Sequence, residues 1–331
     1  MDELNFPYDI TPFTEEESEE LLNYLQSSKI VYNHIGPKAY VLPREYNRNE
    51  AANIYNFPVR SDDVFVVTFP KSGTTWTQEL VWLLLNDLDY EKAKKKLNDR
   101  FPFLEASLFS FEDTFSGHVK DGEVQDFGPP TVDDIKALPS PRFIKTHLPL
   151  SLLPPNLLEE TKVVYVTRDP RDVAVSFYHH YKLMRVMAPD RDFKTYWNFF
   201  MNGKITFGPY FASVLEAWEK RNHPNMLFLF YEELSKDLPG VIRRVANFFD
   251  RKITEEQIEE LREHLKFDNF KKNKSVNYQD MQDKGIFMKD GGFVRKGKVG
   301  GWREYFDEEM TVQAEKWIND YVKDTDFKFP E

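Results

Sequence analysis

Val64-Phe65-Val66-Val67-Thr68-Phe69-Pro70-Lys71-Ser72-Gly73-Thr74-Thr75-Trp76 decides the fold. The run from Val64 to Thr68 is too continuously apolar for a sheet with one wet face. It fits a parallel strand buried on both sides. A tight loop follows, and then Trp76, Leu80, Leu83 and Leu84 recur at helical spacing. The same alternation continues along the chain. Arg142–Thr146, Lys162–Thr167 and Met226–Tyr231 read as further strands. Helical patterns cover Ala174–Tyr181 and the stretches near 210–220 and 239–249, and Thr254-Glu255-Glu256-Gln257 is a capping box opening another. Met310, Ala314, Trp317 and Tyr321 mark the last helix. Strands alternating with helices predict an α/β domain, its central parallel sheet flanked by helices on both faces.

Composition narrows the function. The 331 residues carry a net charge of −11, which argues against a protein whose main task is binding nucleic acid. There is no cysteine, so disulfides, zinc thiolates, iron–sulfur clusters and a thiol nucleophile are excluded. Runs such as Val81-Trp82-Leu83-Leu84-Leu85 fall far short of the roughly 20 residues that span a bilayer. The first residues carry no signal-peptide pattern, and the expected location is the cytoplasm, with no membrane partner. Residues 58–331 are expected to form one domain. Residues 1–57, punctuated by Pro7, Pro12, Pro37 and Pro43, are expected to wrap it as an extension with one short helix near Glu15–Gln26.

Three segments favour an anion. The loop after Thr68 places Lys71, Ser72, Thr74 and Thr75 at a helix N-terminus, where free N–H groups and the helix dipole suit a phosphate. The lysine precedes the glycine, so this is not the GxxxxGK[ST] loop; a plain capped turn is the alternative. Arg168-Asp169-Pro170-Arg171-Asp172 leads from a strand end into a helix, with Asp169 as cap and Pro170 in the first turn. Taken alone, Arg168–Asp172 or Arg171–Asp172 reads rather as a plain surface ion pair. Phe293-Val294-Arg295-Lys296-Gly297-Lys298 is a basic, glycine-broken loop. Together the three point to one polyanionic ligand. His147, in Lys145-Thr146-His147, falls at the same sheet edge, where a neutral imidazole can take a proton from a hydroxyl. His179 and His180 read as packing or helix-surface residues. The irregular stretches 101–141, rich in phenylalanine, and 271–301 interrupt the pattern as segments covering a site do.

These motifs, in this order and spacing, resemble the cytosolic sulfotransferases. The stretches 35–57 and 306–329 are most similar to insect members, a group that includes a retinol dehydratase. The resemblance implies a sulfotransferase and nucleotide-kinase-like fold with a P-loop-like phosphosulfate loop. It implies 3′-phosphoadenosine 5′-phosphosulfate (PAPS) as donor, the bisphosphate PAP as product, and no metal. Lys71 then contacts the phosphosulfate bridge, Ser72, Gly73, Thr74 and Thr75 cradle the 5′-phosphate, and Trp76 stacks on adenine. Arg168 and Ser176, with Arg295, Lys296 and Gly297, hold the 3′-phosphate, while Tyr231, Phe267 and Phe293 line the nucleoside. His147 is the base, assisted by Lys145, and Phe103 and Phe109 line the acceptor pocket. Leu265 stands near the adenine where relatives often have threonine, and Val294 where methionine is common. The family's C-terminal dimer signature is absent, since Asp307 and Lys316 stand where Lys and Glu are expected. A monomer, or a dimer through another surface, is expected. The implied activity is sulfuryl transfer to the hydroxyl of a small, largely apolar phenol, steroid or retinoid-type alcohol. Alternatives are sulfonation followed by elimination of sulfate, a non-catalytic binder of the nucleotide or a hydrophobic ligand, and a nucleotide kinase. The intact set of Lys71, Lys145 and His147 argues against the binder, and the missing GK[ST] against the kinase.

Overall fold

A computed structural model describes residues 5–25, 31–109 and 129–330. The chain opens with an antiparallel sheet of β1 (Ile10–Pro12), β2 (Tyr32–Ile35) and β3 (Tyr40–Pro43), with helix α1 (Glu15–Leu25) before β2 and α2 (Arg48–Tyr55) after β3. The sequence reading found only α1 in this region. Strands of three or four residues give too little alternation to register as period two. Pairing closes this sheet around a turn with Gly36 at φ +65°.

The second sheet is parallel throughout: β4 (Val64–Thr68), β5 (Phe143–Thr146), β6 (Lys162–Thr167) and β7 (Met226–Phe230), in the order β5-β4-β6-β7. Alternate side chains enter opposite faces. Phe65 and Val67 join a buried cluster with Tyr165, Phe177 and Tyr210, whereas Val64 and Val66 join another with Leu80, Leu83, Val241 and Ile242. Helices α4 (Pro170–Leu183) and α5 (Tyr210–Glu219) supply the first face. The second is covered by α3 (Thr74–Leu85), α6 (Leu238–Phe248) and α7 (Glu255–Leu265). Each fully buried Phe, Leu or Val contributes about 1.5–3 kcal/mol, so the two faces drive the layering. The capping box at Thr254 and Gln257 forms as read, and α8 (Glu308–Val322) is the last helix.

The N-terminal sheet shares the first cluster through Tyr32, Ile35 and Leu42. Val41 and the 207–208 backbone also exchange hydrogen bonds, from Val41 N to Gly208 O at 2.8 Å and from Phe207 N to Val41 O at 2.7 Å. In the central sheet the chain leaves β4 for β5 on one side and returns to β6 on the other. The crevice above such a switch point, at the carboxyl ends of the strands, is where open α/β sheets take ligands.

Candidate active site

A cavity of about 1020 Å³ opens at that edge. Its walls come from the loops after all four parallel strands and from the 293–301 segment, and they include Lys71, Lys145, His147, Arg168, Tyr231 and Arg295. The volume is at the upper end for a ligand pocket, enough for a nucleotide and a small second molecule side by side.

The loop after β4 forms the polar end. Lys71 sits at φ +69°, a left-handed conformation that costs an L-residue about 1–2 kcal/mol. Gly73, at φ +109°, precedes α3. A Cβ there would meet the Tyr231 ring at 2.8 Å, so only glycine brings this backbone so close. No side chain caps α3, and the buried Ser72 hydroxyl has no hydrogen-bond partner among the described residues. An uncapped helix start beside an unsatisfied hydroxyl fits a phosphate.

Four cations surround the same space. Burial, reinforced by Lys145, Arg168 and Arg295, pushes Lys71 down to about 7. Burial pushes Lys145 down to about 8, against the opposing pull of Glu105. Neither ammonium has a carboxylate partner within 4.0 Å among the described residues; instead Lys71 Nζ lies 4.3 Å from the Phe293 ring centre and Lys145 Nζ 4.6 Å from that of Phe103. Arg168 lies over the Tyr231 ring, and its buried Nε has no hydrogen-bond partner among the described residues. Asp172 and Glu105 offset only part of this positive charge, and a polyanion relieves the rest.

Asp172 gives the basic loop its place. Its carboxylate accepts the N–H groups of Gly300 at 2.8 Å and Trp302 at 2.9 Å, and Arg168 donates to the Lys298 carbonyl at 2.9 Å. The surface ion pair weighed for these residues is instead a buried fastening, with Arg168 and Asp172 3.5 Å apart. Arg171 pairs with Asp169, which caps α4 as read. Glu232 Oε1 accepts the Asp169 N–H and joins the β6 and β7 loops.

His147 occupies the boundary between the polar and aromatic ends. Its Nδ1 lies 2.9 Å from the Thr68 carbonyl oxygen and 3.1 Å from the Thr68 hydroxyl. A carbonyl only accepts, so Nδ1 carries the proton and Nε2 the lone pair. Burial, with Lys145 and Lys71 nearby, holds the ring neutral by pushing its pKa down to about 3. Its backbone N–H donates to buried Glu105 Oε1 at 2.6 Å. Around it stand Phe103, 5.2 Å away, and Phe207, 5.4 Å away, with Phe109 stacked on Phe103.

The remaining residues fall around the same cavity. Trp76 donates Nε1 to the Leu265 carbonyl at 2.9 Å. Leu265 is fully buried, and Val294 is half-buried against the same cluster. Gly297, at φ +59°, lies against the Phe267 ring. Ser176 is half-buried on α4, Thr74 bonds Thr68 through the hydroxyls at 2.7 Å, and Lys296 pairs with Glu304. Phe101 belongs to the core, and Phe111 and Phe115 lie outside the described residues. Glu105, Asp172 and Phe207 were missed, since no local pattern marks a residue whose partner lies far along the chain. His179 packs as read, against the Tyr305 hydroxyl at 2.7 Å. His180, read the same way, lines the cavity.

An uncapped helix start at the sheet's switch point and a neutral histidine beside buried cations are the arrangement a group-transfer enzyme requires. Residues 61–326 match the sulfotransferase domain family, and the chain belongs to it. Luciferin sulfotransferase of Photinus pyralis is 38% identical over 284 residues, covering 83% of this chain and 75% of that protein. Sulfotransferase 1E1 of Homo sapiens is 33% identical over 279 residues, covering 84% and 89%. The crystal structure of retinol dehydratase with androsterone and inactive cofactor PAP superposes with a TM-score of 0.94 at 45% identity, covering 99% of each chain. The protein is a sulfotransferase, and the kinase and binder alternatives fall away.

Proposed function

We propose that the enzyme transfers the sulfuryl group of PAPS to the hydroxyl of a small, largely apolar acceptor. The observation that carries this reading is His147, with its lone pair on Nε2, in one cavity with the buried ammonium groups of Lys71 and Lys145 and beside the rings of Phe103 and Phe207. The donor supplies an activated sulfuryl group on a phosphate leaving group. Ser72 to Thr75 and the start of α3 would hold its 5′-phosphate. Arg168, Ser176, Arg295, Lys296 and Gly297 would hold the 3′-phosphate, while Trp76, Tyr231, Leu265, Phe267, Phe293 and Val294 surround the nucleoside.

In this reading Nε2 of His147 takes the acceptor's hydroxyl proton as the oxygen attacks sulfur in line. Lys71 neutralises charge growing on the bridging oxygen, and Lys145 steadies the sulfuryl oxygens; fixed cations in a dry site stabilise such charge without reorganising. Phe103 and Phe109 supply the apolar wall. A screen for labelled-sulfate transfer to phenols, steroids and retinoids tests it, and absence of transfer to all three classes overturns it.

The similarity to retinol dehydratase supports a second reading, in which the sulfate ester loses sulfate with its bonding electron pair and an adjacent carbon gives up a proton to form an alkene. Mass analysis of products separates the two. For assembly, we keep a monomer, or a dimer through a surface other than 303–312. Sedimentation at micromolar protein tests it: a tight dimer broken by mutations in that segment overturns it.

A further inference from the structure

Helix α4 lines the cavity with Asp172, Ser176 and His180, and Met184 follows just past its end. At 1.5 Å per residue, His180 stands about 6 Å beyond Ser176, one turn away from the phosphate-binding end. Its ring packs edge-on to Phe293 at 5.7 Å and beside Phe177 at 6.2 Å. Its Nδ1 is buried and has no hydrogen-bond partner among the described residues. The contrast with the adjacent His179, whose Nε2 meets a tyrosine hydroxyl, is direct. Burial and the charges of Lys71 and Lys145, with His147 nearby, hold His180 well below its usual pKa, so the ring is neutral.

A buried polar atom without a partner is costly, and native structures rarely keep one for packing alone. Phenylalanine would fill the same space among these rings. A neutral imidazole between aromatic faces is also poorly suited to phosphate, which the site meets with lysine, arginine and serine further along. The group it suits is an uncharged oxygen on the second substrate.

We propose that His180 determines acceptor specificity, its ring forming a hydrogen bond through a nitrogen with a second hydroxyl or carbonyl oxygen of the acceptor, apart from the oxygen that is sulfonated. This rests on the sulfotransferase reading of the cavity. The preferred acceptors are then apolar alcohols or phenols carrying one additional oxygen function, not simple mono-ols of the same skeleton. A site built to bond an oxygen discriminates against analogues lacking it, because its own polar atom is then left bare.

The test uses matched pairs of phenols and steroid alcohols that differ only by a second hydroxyl or carbonyl. In the wild type, the better pairs differ about tenfold to hundredfold in kcat/KM. His180→Phe should bring that ratio towards one, chiefly by raising values for the mono-ols. His180→Gln, which keeps a donor and an acceptor, should retain part of the ratio, and it carries the test if the phenylalanine variant does not fold. The same pairs are titrated as dead-end complexes with adenosine 3′,5′-bisphosphate, which reads recognition without turnover. Discrimination in binding without any transfer would fault the proposed reaction and leave this inference standing. A ratio unchanged by either variant, or no discrimination in the wild type, would overturn it.

Discussion

Nδ1 of His147 donates to the backbone carbonyl of Thr68, the residue that ends β4 and begins the phosphate loop. In the proposed mechanism the base is thus tied to the same backbone that would position the leaving group. Because the acceptor is main chain, no side-chain substitution at position 68 removes it.

His147→Ala should lower sulfuryl transfer by about 10²–10⁴ while leaving PAP affinity nearly unchanged, since general-base catalysis is worth that much and the ring faces the acceptor end. Steady-state rates alongside calorimetric binding check this. Turnover close to wild type would take His147 out of the mechanism.

Lys71 connects pH to binding. Its folded value, about 7, lies below the ordinary 10.5. Between those values the unfolded chain holds a proton that the empty site lacks, so raising pH through this window stabilises the empty protein through Lys71. A bound polyanion restores the proton. PAP binding at pH 8 should therefore take up protons and weaken as pH rises, whereas at pH 6 uptake at Lys71 should be small. Titrations in two buffers of different ionisation heat measure the uptake. Lys71→Ala should lower the uptake to the share that Lys145, held at about 8, still contributes, and it should reduce turnover more than PAP affinity; equal losses would make Lys71 a plain phosphate contact.

Arg168 and Arg295 should select for the 3′-phosphate through charge-assisted hydrogen bonds. Replacing either with alanine should weaken PAP far more than adenosine 5′-phosphosulfate, which lacks that group. Similar losses for both ligands in competition binding would refute the assignment.

Asp172→Ala removes the acceptor for two buried N–H groups of the basic loop. PAP affinity should drop about tenfold to hundredfold, given about 1–3 kcal/mol for each buried donor left unsatisfied. Amide exchange at 298–302 should quicken at the same time. Weakened binding with unchanged exchange would mean that Asp172 acts through charge on Arg168 and not by holding the loop.

What could be read from the sequence followed range along the chain. Val64–Thr68 and Lys162–Thr167 were legible to the residue because a strand buried on both faces leaves an unbroken apolar run, and Thr254 because a capping box is local. That the Lys71 loop and His147 meet at one cavity was legible because strand ends of a parallel sheet share one edge. The N-terminal sheet was not, since Tyr32–Ile35 and Tyr40–Pro43 are short and owe their pairing to each other. Asp172 looked like one more charge beside Arg168 and Arg171; its partners lie 128 and 130 residues away. His180 differs from His179 only in which side of α4 it occupies, which depends on where the sheet and Phe293 lie.

The same separation bears on how the enzyme comes into being. The loop after β4 and the start of α4 are made well before the ribosome reaches Arg295, and Asp172 and the Lys298 carbonyl fasten the basic loop to α4. A nascent chain stopped before Phe293 has the parallel strands and the histidine but not this clamp. On the proposed assignment of the nucleotide site, a growing chain short of Trp302 would therefore hold the nucleotide less tightly than one that has passed it.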